Sequence, residues 1–383
     1  MVAVHVNTSL SWGGLEQYTV YMMELFRDAG VNVSLMCVPQ SRIHNHAVEL
    51  GFATIPAVRG KHVNLRNILR LRKSLRGQRD VVVHSHTRID VWLASLACMG
   101  TRVPHVHSVH MIPVNKRDPL HAVIYGRVDA TVNTSETHVQ SIGRLFPVKP
   151  GSVHLIRHMR SPALFQFNAE ARRKYRAEWN IANDTLVVGY VARIDPLKGT
   201  REFAESIEHL IEEHRKRVRL VVIGEPSMKG QGADGTSIPE TASEQLAQWL
   251  QGRAADPRNQ LIVRPFTTDV PGVMSAFDVF VLATYGEMYA LTVLEAMMVG
   301  IPVIGTNTDG TPDQLAKGRG VLVESRSSAA IAHGIEIVLG DEDQRRQMAS
   351  RAHEWAVREF DPANVLPQWL KLYHDVLEIR NRT

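Results

Sequence analysis

Val279-Phe280-Val281-Leu282-Ala283-Thr284-Tyr285-Gly286-Glu287-Met288-Tyr289-Ala290-Leu291-Thr292-Val293-Leu294-Glu295-Ala296-Met297 reads as a strand, a loop and a helix in direct succession. The apolar run Val279–Ala283 has the length of a buried strand, Gly286 interrupts it, and Leu291–Val299 carries a helical pattern. Two glutamates stand eight residues apart across the transition: Glu287 in the loop where the helix begins, Glu295 about one turn inside it. A carboxylate at the second position can accept two hydrogen bonds from a ribose diol or from sugar hydroxyls. The amides of Tyr289, Ala290, Leu291 and Thr292, at the start of the helix, could hold phosphate oxygens. An ordinary helix glutamate and a charge complementing the helix dipole would give the same pattern.

The same strand-then-helix unit recurs on both sides of this stretch. Upstream in the second half, Leu186–Ala192, Val218–Gly224 and Gln260–Val263 read as strands and Gly199–Glu213 as a helix; downstream, Pro302–Gly305 and Gly320–Val323 read as strands. The first half repeats the alternation, with strands at Val2–Asn7, Val31–Pro39, Asp80–His86, His105–Val109 and Ala130–Asn133, and helices at Leu15–Ala29, Leu65–Leu75 and Asp90–Met99. Alternation of this kind predicts parallel pairing and doubly wound α/β sheets. A chain of 383 residues is too long for one such core and reads as two domains, divided near the polar, basic stretch Asn168–Asn183. The expected boundaries are 1–170, 171–360 and a closing segment 361–383. Pro226–Thr241, rich in Gly, Ser and Pro, reads as a mobile surface loop, and Asp341–Arg380 as helical and charged.

Composition excludes several classes. With 44% apolar and 22% charged residues the chain is globular. No apolar run approaches the roughly 20 residues that span a bilayer, and the N-terminal stretch has no signal-peptide pattern, so the expected compartment is the cytoplasm. Cys37 and Cys98 are too few for a disulfide framework or a zinc motif, and read as small buried hydrophobes. No G-x-x-x-x-G-K-[ST] loop is present, nor a G-x-G-x-x-G after a strand. The net charge of +5 is uneven: Arg59, Lys61, Arg66, Arg70, Arg72, Lys73, Arg76 and Arg79 fall in a stretch from Gly51 to Arg79 without an acidic residue. The segment Leu65–Arg79 therefore suits either an anionic membrane surface or a solvated basic face. Nucleic acid is not expected as a partner, because aromatic residues do not interleave the basic ones.

In open parallel sheets ligands bind beyond the carboxyl ends of the strands, so polar residues just after strands are the candidates. Two segments join the glutamate pair on this ground. In Tyr190-Val191-Ala192-Arg193-Ile194-Asp195-Pro196-Leu197-Lys198-Gly199 a strand ends in arginine and a lysine follows five residues later. Two cations there suit a departing diphosphate, although a surface ion pair with Asp195 would look alike. In Ser11-Trp12-Gly13-Gly14-Leu15-Glu16-Gln17 paired glycines let a ligand approach the backbone closely, or serve a tight turn that needs positive φ.

These three segments, in this order, resemble the retaining glycosyltransferases of family 4, which have the GT-B fold. Asp80-Val81-Val82-Val83-His84-Ser85-His86, Val109-His110, Asn133-Thr134-Ser135-Glu136 and Ala296–Ile304 extend the resemblance over nearly the whole chain. The chain departs from the family where Arg157-His158 replaces an Asn-Gly, where Tyr289 replaces the commoner phenylalanine, and in the insertion after Gly224.

The resemblance implies two Rossmann-like domains facing across a cleft, with the final helix returning to the first. It implies Arg193 and Lys198 on the donor diphosphate, Glu295 on the ribose, Glu287 beside the donor sugar, and Met288–Leu291 along the sugar and phosphates. It also implies Gly13 and Gly14 approaching the phosphates, His110 near the donor sugar, and Glu16 and His86 on the acceptor side. The implied reaction is metal-independent transfer, with retention, from a UDP- or GDP-linked sugar to a glycan or lipid-linked acceptor in bacterial surface polysaccharide or glycoconjugate synthesis. No cofactor is expected. The alternatives are a nucleotide-sugar epimerase and a non-catalytic nucleotide-sugar or glycan-binding protein on the same scaffold.

Overall fold

The apolar runs of the first half pair as one parallel sheet in the computed structural model, which describes residues 1–60, 63–231 and 237–382. Its strands are β1 (Val2–Val6), β2 (Asn32–Cys37), β3 (Ala53–Pro56), β4 (Val81–Ser85), β5 (His105–Ser108), β6 (Ala130–Asn133) and β7 (Val153–Leu155). They lie in the order β3-β2-β1-β4-β5-β6-β7, so the order reverses between β1 and β4. The second half forms another parallel sheet from β8 (Leu186–Val191), β9 (Val218–Ile223), β12 (Leu261–Arg264), β13 (Val279–Leu282), β14 (Val303–Thr306) and β15 (Val321–Val323), ordered β12-β9-β8-β13-β14-β15. Here the reversal falls between β8 and β13. At such switch points the connecting helices leave on opposite faces and open a crevice beyond the strand ends.

The first unit comprises Met1–Met159 together with the last helix, Pro362–Arg382; the second comprises Arg160–Asp361. The first division comes earlier than the expected 170 for a physical reason. The basic stretch taken as the boundary contains a helix, Ala169–Glu178, whose Arg172 and Arg176 are spent inside the second unit. Arg172 pairs with Asp278 at 2.7 Å, Arg176 donates to the carbonyls of Ala276 and Ala182, and Asp278 in turn accepts from the amide of Val187 at 2.7 Å. The last helix buries Val365, Trp369, Leu372, Tyr373, Val376 and Leu377 within the first unit, and Arg380 meets Asp129 at 2.7 Å.

Three readings of the sequence need correction. Edge strands β3 and β7 were not expected; their half-exposed residues lack the apolar run that marks the inner strands. The expected helix Gly199–Glu213 is Thr200–Glu205, a 3₁₀ turn Ser206–His209 and a separate helix Glu212–Arg217. Part of the expected loop Pro226–Thr241 is an antiparallel hairpin, β10 (Met228–Gln231) with β11 (Ser237–Pro239); its residues 232–236 lie outside the described residues.

Candidate active site

In the second unit the candidate cations arise directly from the switch point. Beyond β8 the carboxylate of Asp195 accepts from the amide of Leu197 at 2.9 Å and caps the 3₁₀ turn Pro196–Lys198. Ser227 bridges this turn to Arg193: it accepts from the guanidinium at 2.9 Å and donates to Asp195 at 2.8 Å. Gly199 closes the turn at φ +68°, and a Cβ there would lie 1.9 Å from the carbonyl oxygen of Ala283. Only glycine lets the turn press against the end of β13. Lys198 is thereby placed beside the loop after β13, where its ammonium meets the Glu287 carboxylate at 2.5 Å. Arg193, Lys198 and Glu287, read separately from the sequence, thus share the carboxyl ends of two neighbouring strands.

The loop after Glu287 is held from below. The amide of Gly310 donates to the Glu287 carbonyl at 3.0 Å, and a Cβ on Gly310 would lie 1.7 Å from the Met288 carbonyl oxygen. The Gln314 side chain brackets the peptide of Ala290, accepting from its amide at 3.1 Å and donating to its carbonyl at 2.8 Å. Met288, Tyr289 and Ala290 are buried, with the Tyr289 ring against Phe360. The helix Leu291–Val299 then starts without a side-chain cap, leaving first-turn amides at Leu291 and Thr292 of the kind that attract phosphate.

Glu295 points away from the surface. It is 7% exposed and bonds Arg160 at 3.0 Å. Burial raises the pKa of its carboxyl, outweighing the Arg160 guanidinium, which lowers it. Arg160 also donates its amide to the Phe360 carbonyl at 2.8 Å. Sequence reading did not single out Arg160, Ser227, Gln314 or Gly310. The first partners a residue 135 positions away, and no local pattern announces such a pairing.

In the first unit, Gly13 precedes the helix Gly14–Asp28 with φ −147°, an extended conformation, so it is not a turn that needs positive φ. Glu16, placed on the acceptor side by resemblance, is 4% exposed and accepts from the Gly13 amide at 2.8 Å, capping its own helix. Asp90 ties the loop after β1 to the helix Arg88–Cys98, accepting from the Thr8 hydroxyl at 2.6 Å and the Thr87 amide at 3.1 Å. Its burial pushes its pKa up to about 6 against those hydrogen bonds.

Strands β1, β4 and β5 and the residues just beyond them bring together histidines that are far apart in the sequence. His5 and His86 are 2.9 Å apart through Nδ1 and Nε2, and the other nitrogen of His86 lies 3.3 Å from Nε2 of His110. His84 contacts Tyr373 Oη at 2.7 Å and Ser108 Oγ at 2.8 Å. One ligand atom each from His5, His84 and His86 would lie within 4.8 Å of the others, close enough to share a metal ion. Both nitrogens of His84 and both of His86 are already in hydrogen bonds, however, so ligation would cost those bonds. Burial lowers the pKa of each: to about 3 for His5 and His110, to about 4 for His107, and well below the usual value for His84, His86 and His105. His110, at the outer end, borders a small pocket with Thr87, Arg88, Met111, Ile112 and Lys116.

Comparison with known proteins bears on both units. The family model for "Glycosyltransferase Family 4" matches residues 12–159 and that for "Glycosyl transferases group 1" matches residues 171–355. A D-inositol 3-phosphate glycosyltransferase of Stackebrandtia nassauensis is 26% identical over 321 residues, covering 78% of this chain and 69% of its own. A relative of the same name from Corynebacterium glutamicum is 25% identical, covering 78% and 73%. Among solved structures, Anabaena HepE with UDP superposes at TM-score 0.81 with 16% identity, covering 98% of this chain and all of HepE. HepE has also been solved with UDP-glucose.

Proposed function

Since this chain belongs to the glycosyltransferases of group 1 and family 4, with their GT-B fold, we propose that it moves a sugar from a nucleoside diphosphate to a glycan or lipid-linked acceptor with retention of configuration. The convergence of Arg193, Lys198 and Glu287 beyond β8 and β13, with Glu295 on the helix that follows, carries this reading. The bond from the sugar anomeric carbon to the diphosphate oxygen breaks, and a bond to the acceptor oxygen forms on the same face. The acceptor proton passes to the departing phosphate oxygen. Arg193, Lys198 and the amides at Leu291 and Thr292 stabilise the growing diphosphate charge, the task a divalent cation performs in other transferases. Glu295 takes the ribose and Glu287 the sugar side; the family resemblance alone assigns Gly13 and Gly14 to the phosphates and His110 to the sugar.

A UDP-sugar is the first donor to try, since HepE binds UDP and UDP-glucose, and GDP-sugars are the second. The curated relatives' name adds a phosphorylated polyol to the acceptors worth testing. Purified protein screened against UDP-, GDP-, ADP- and dTDP-sugars in EDTA should bind and slowly hydrolyse one class. The glycoside it forms should keep the donor's anomeric configuration. An inverted product, or activity that needs Mg²⁺, would overturn the mechanism. Release of an altered sugar without acceptor would identify an epimerase.

The basic segment supports a membrane-facing acceptor. Helix Leu65–Leu75 buries Asn67, Leu71 and Leu75, and turns Leu65 and Leu69 outward at 68% and 56% exposure, beside exposed Arg66, Arg70 and Lys73. Lys61 lies outside the described residues. No helix among the described residues is long and apolar enough to cross a membrane. Such a face inserts its leucines while its cations meet anionic headgroups. Vesicles of phosphatidylglycerol should co-sediment the protein and vesicles of phosphatidylcholine should not, and Leu65→Ser with Leu69→Ser should abolish the difference. Equal sedimentation with both lipids would reduce this face to a solvated one.

A further inference from the structure

The histidines of β4 and β5 carry enough fixed acceptors to reveal where their protons sit. Nδ1 of His107 lies 2.9 Å from Ser85 Oγ and 3.2 Å from the Ser85 carbonyl; the carbonyl can only accept and the single Ser85 hydroxyl hydrogen goes to His105, as the next contacts show, so His107 carries its proton on Nδ1. Ser95 Oγ donates to the Ile124 carbonyl at 2.9 Å; it therefore accepts from His105, whose Nδ1 lies 3.1 Å away. His105 is then also protonated on Nδ1, and its Nε2 accepts from Ser85 Oγ at 2.8 Å.

The second row, His5, His86 and His110, touches no carbonyl among the described residues, but it ends inside the core. His5 Nε2 is buried with no hydrogen-bond partner among the described residues, while Nδ1 faces His86. Each contact in the row joins two ring nitrogens, so exactly one proton lies in each and the row has a direction. In one direction His5 keeps a proton on the buried, unpartnered Nε2. In the other, that nitrogen is a bare lone pair. An orphaned buried N–H is the rarer and costlier outcome.

We propose that His5 and His86 are positioning residues that hold His110 in its Nδ1–H tautomer. His5 donates from Nδ1 to Nε2 of His86, His86 donates from Nδ1 to Nε2 of His110, and Nδ1–H of His110 is left outside the relay as a neutral donor. No hydrogen bond to this nitrogen is made among the described residues. Neutral imidazole in water prefers the opposite tautomer, so the relay selects the minority form. A neutral donor suits a sugar hydroxyl and adds no fixed charge beside the reacting carbon. The sugar role rests on the transferase reading; the tautomer does not.

The test is long-range ¹H–¹⁵N correlation on the full chain labelled with ring-¹⁵N histidine, at pH 7.5 and without donor, with His110 assigned through His110→Gln. A pyrrole-type Nδ1 and a pyridine-type Nε2 at His110 are expected. In His5→Phe, which removes the relay's first donor, His110 should become a mixture of tautomers. An Nε2–H His110 in the parent overturns the relay, as does an unchanged single tautomer in a folded His5→Phe. The parent spectrum decides the question even if the variant fails to fold. Failure of the parent to hydrolyse any nucleotide sugar would remove the transferase reading and leave the tautomer result standing.

Discussion

Lys198→Ala is expected to lower kcat for sugar transfer by about 10²–10³-fold while the protein stays folded. The lysine sits on a turn set by Asp195 and Gly199, so its ammonium is placed before the donor arrives. Glu287 holds that ammonium at 2.5 Å, and the ion pair has side chains 21% and 24% exposed. On the proposed mechanism the cation serves the diphosphate most as negative charge builds on the leaving oxygen. Loss of one such preorganised group typically costs about 3–4 kcal/mol of transition-state stabilisation. The deficit should fall on kcat and on kcat/KM alike, the mark of an interaction made chiefly in the transition state. A variant with a raised KM and an intact kcat would make Lys198 a ground-state anchor only. Unchanged kinetics would move the diphosphate away from the β8–β13 switch point.

Acidification is expected to unfold the first unit cooperatively, starting just below pH 6.5. Six of its histidines (His5, His84, His86, His105, His107 and His110) have folded pKa values lowered by burial, and unfolded imidazoles titrate near 6.5. Between those limits the unfolded chain binds more protons, so stability is full above about pH 6.5 and falls as pH drops. Each group contributes up to about 1.4 kcal/mol per pH unit, or roughly 8 for six, against a typical domain stability of 5–15 kcal/mol. Asp90 acts in the opposite sense, because its raised pKa makes the folded state the better proton acceptor, and it offsets about one of the six. Near-ultraviolet circular dichroism followed from pH 8 to 4 should report the transition. Trp369, whose ring centre lies 5.2 Å from that of His84, is a built-in probe. Native signal persisting to pH 4.5 would mean that the histidines accept protons without leaving the fold.

Much of the site was legible because its residues lie within short segments whose ends are marked by local chemistry. Arg193 and Lys198 follow an apolar strand and precede a glycine; Glu287 and Glu295 bracket a loop and a helix start. The positions of these residues relative to strands and helices follow from burial periodicity alone, and that was enough to place them at strand ends. Glu16 shows the limit of the same reasoning. The family resemblance gave it the acceptor side, and the sequence carried no sign that its carboxylate caps its own helix.

The sequence by itself determined the two parallel-sheet units, most inner strands, and the spacing of the two cations and two glutamates. These rest on interactions between residues a few positions apart, whose record is a repeating pattern. Only the tertiary structure decided that Arg160 meets Glu295, that Ser227 joins Arg193 to Asp195, and that His5, His86 and His110 form one row. Those contacts join residues 24 to 135 positions apart. They exist because strand order and helix packing bring distant segments together, and a single chain read along its length carries no signature of which buried polar groups will satisfy one another.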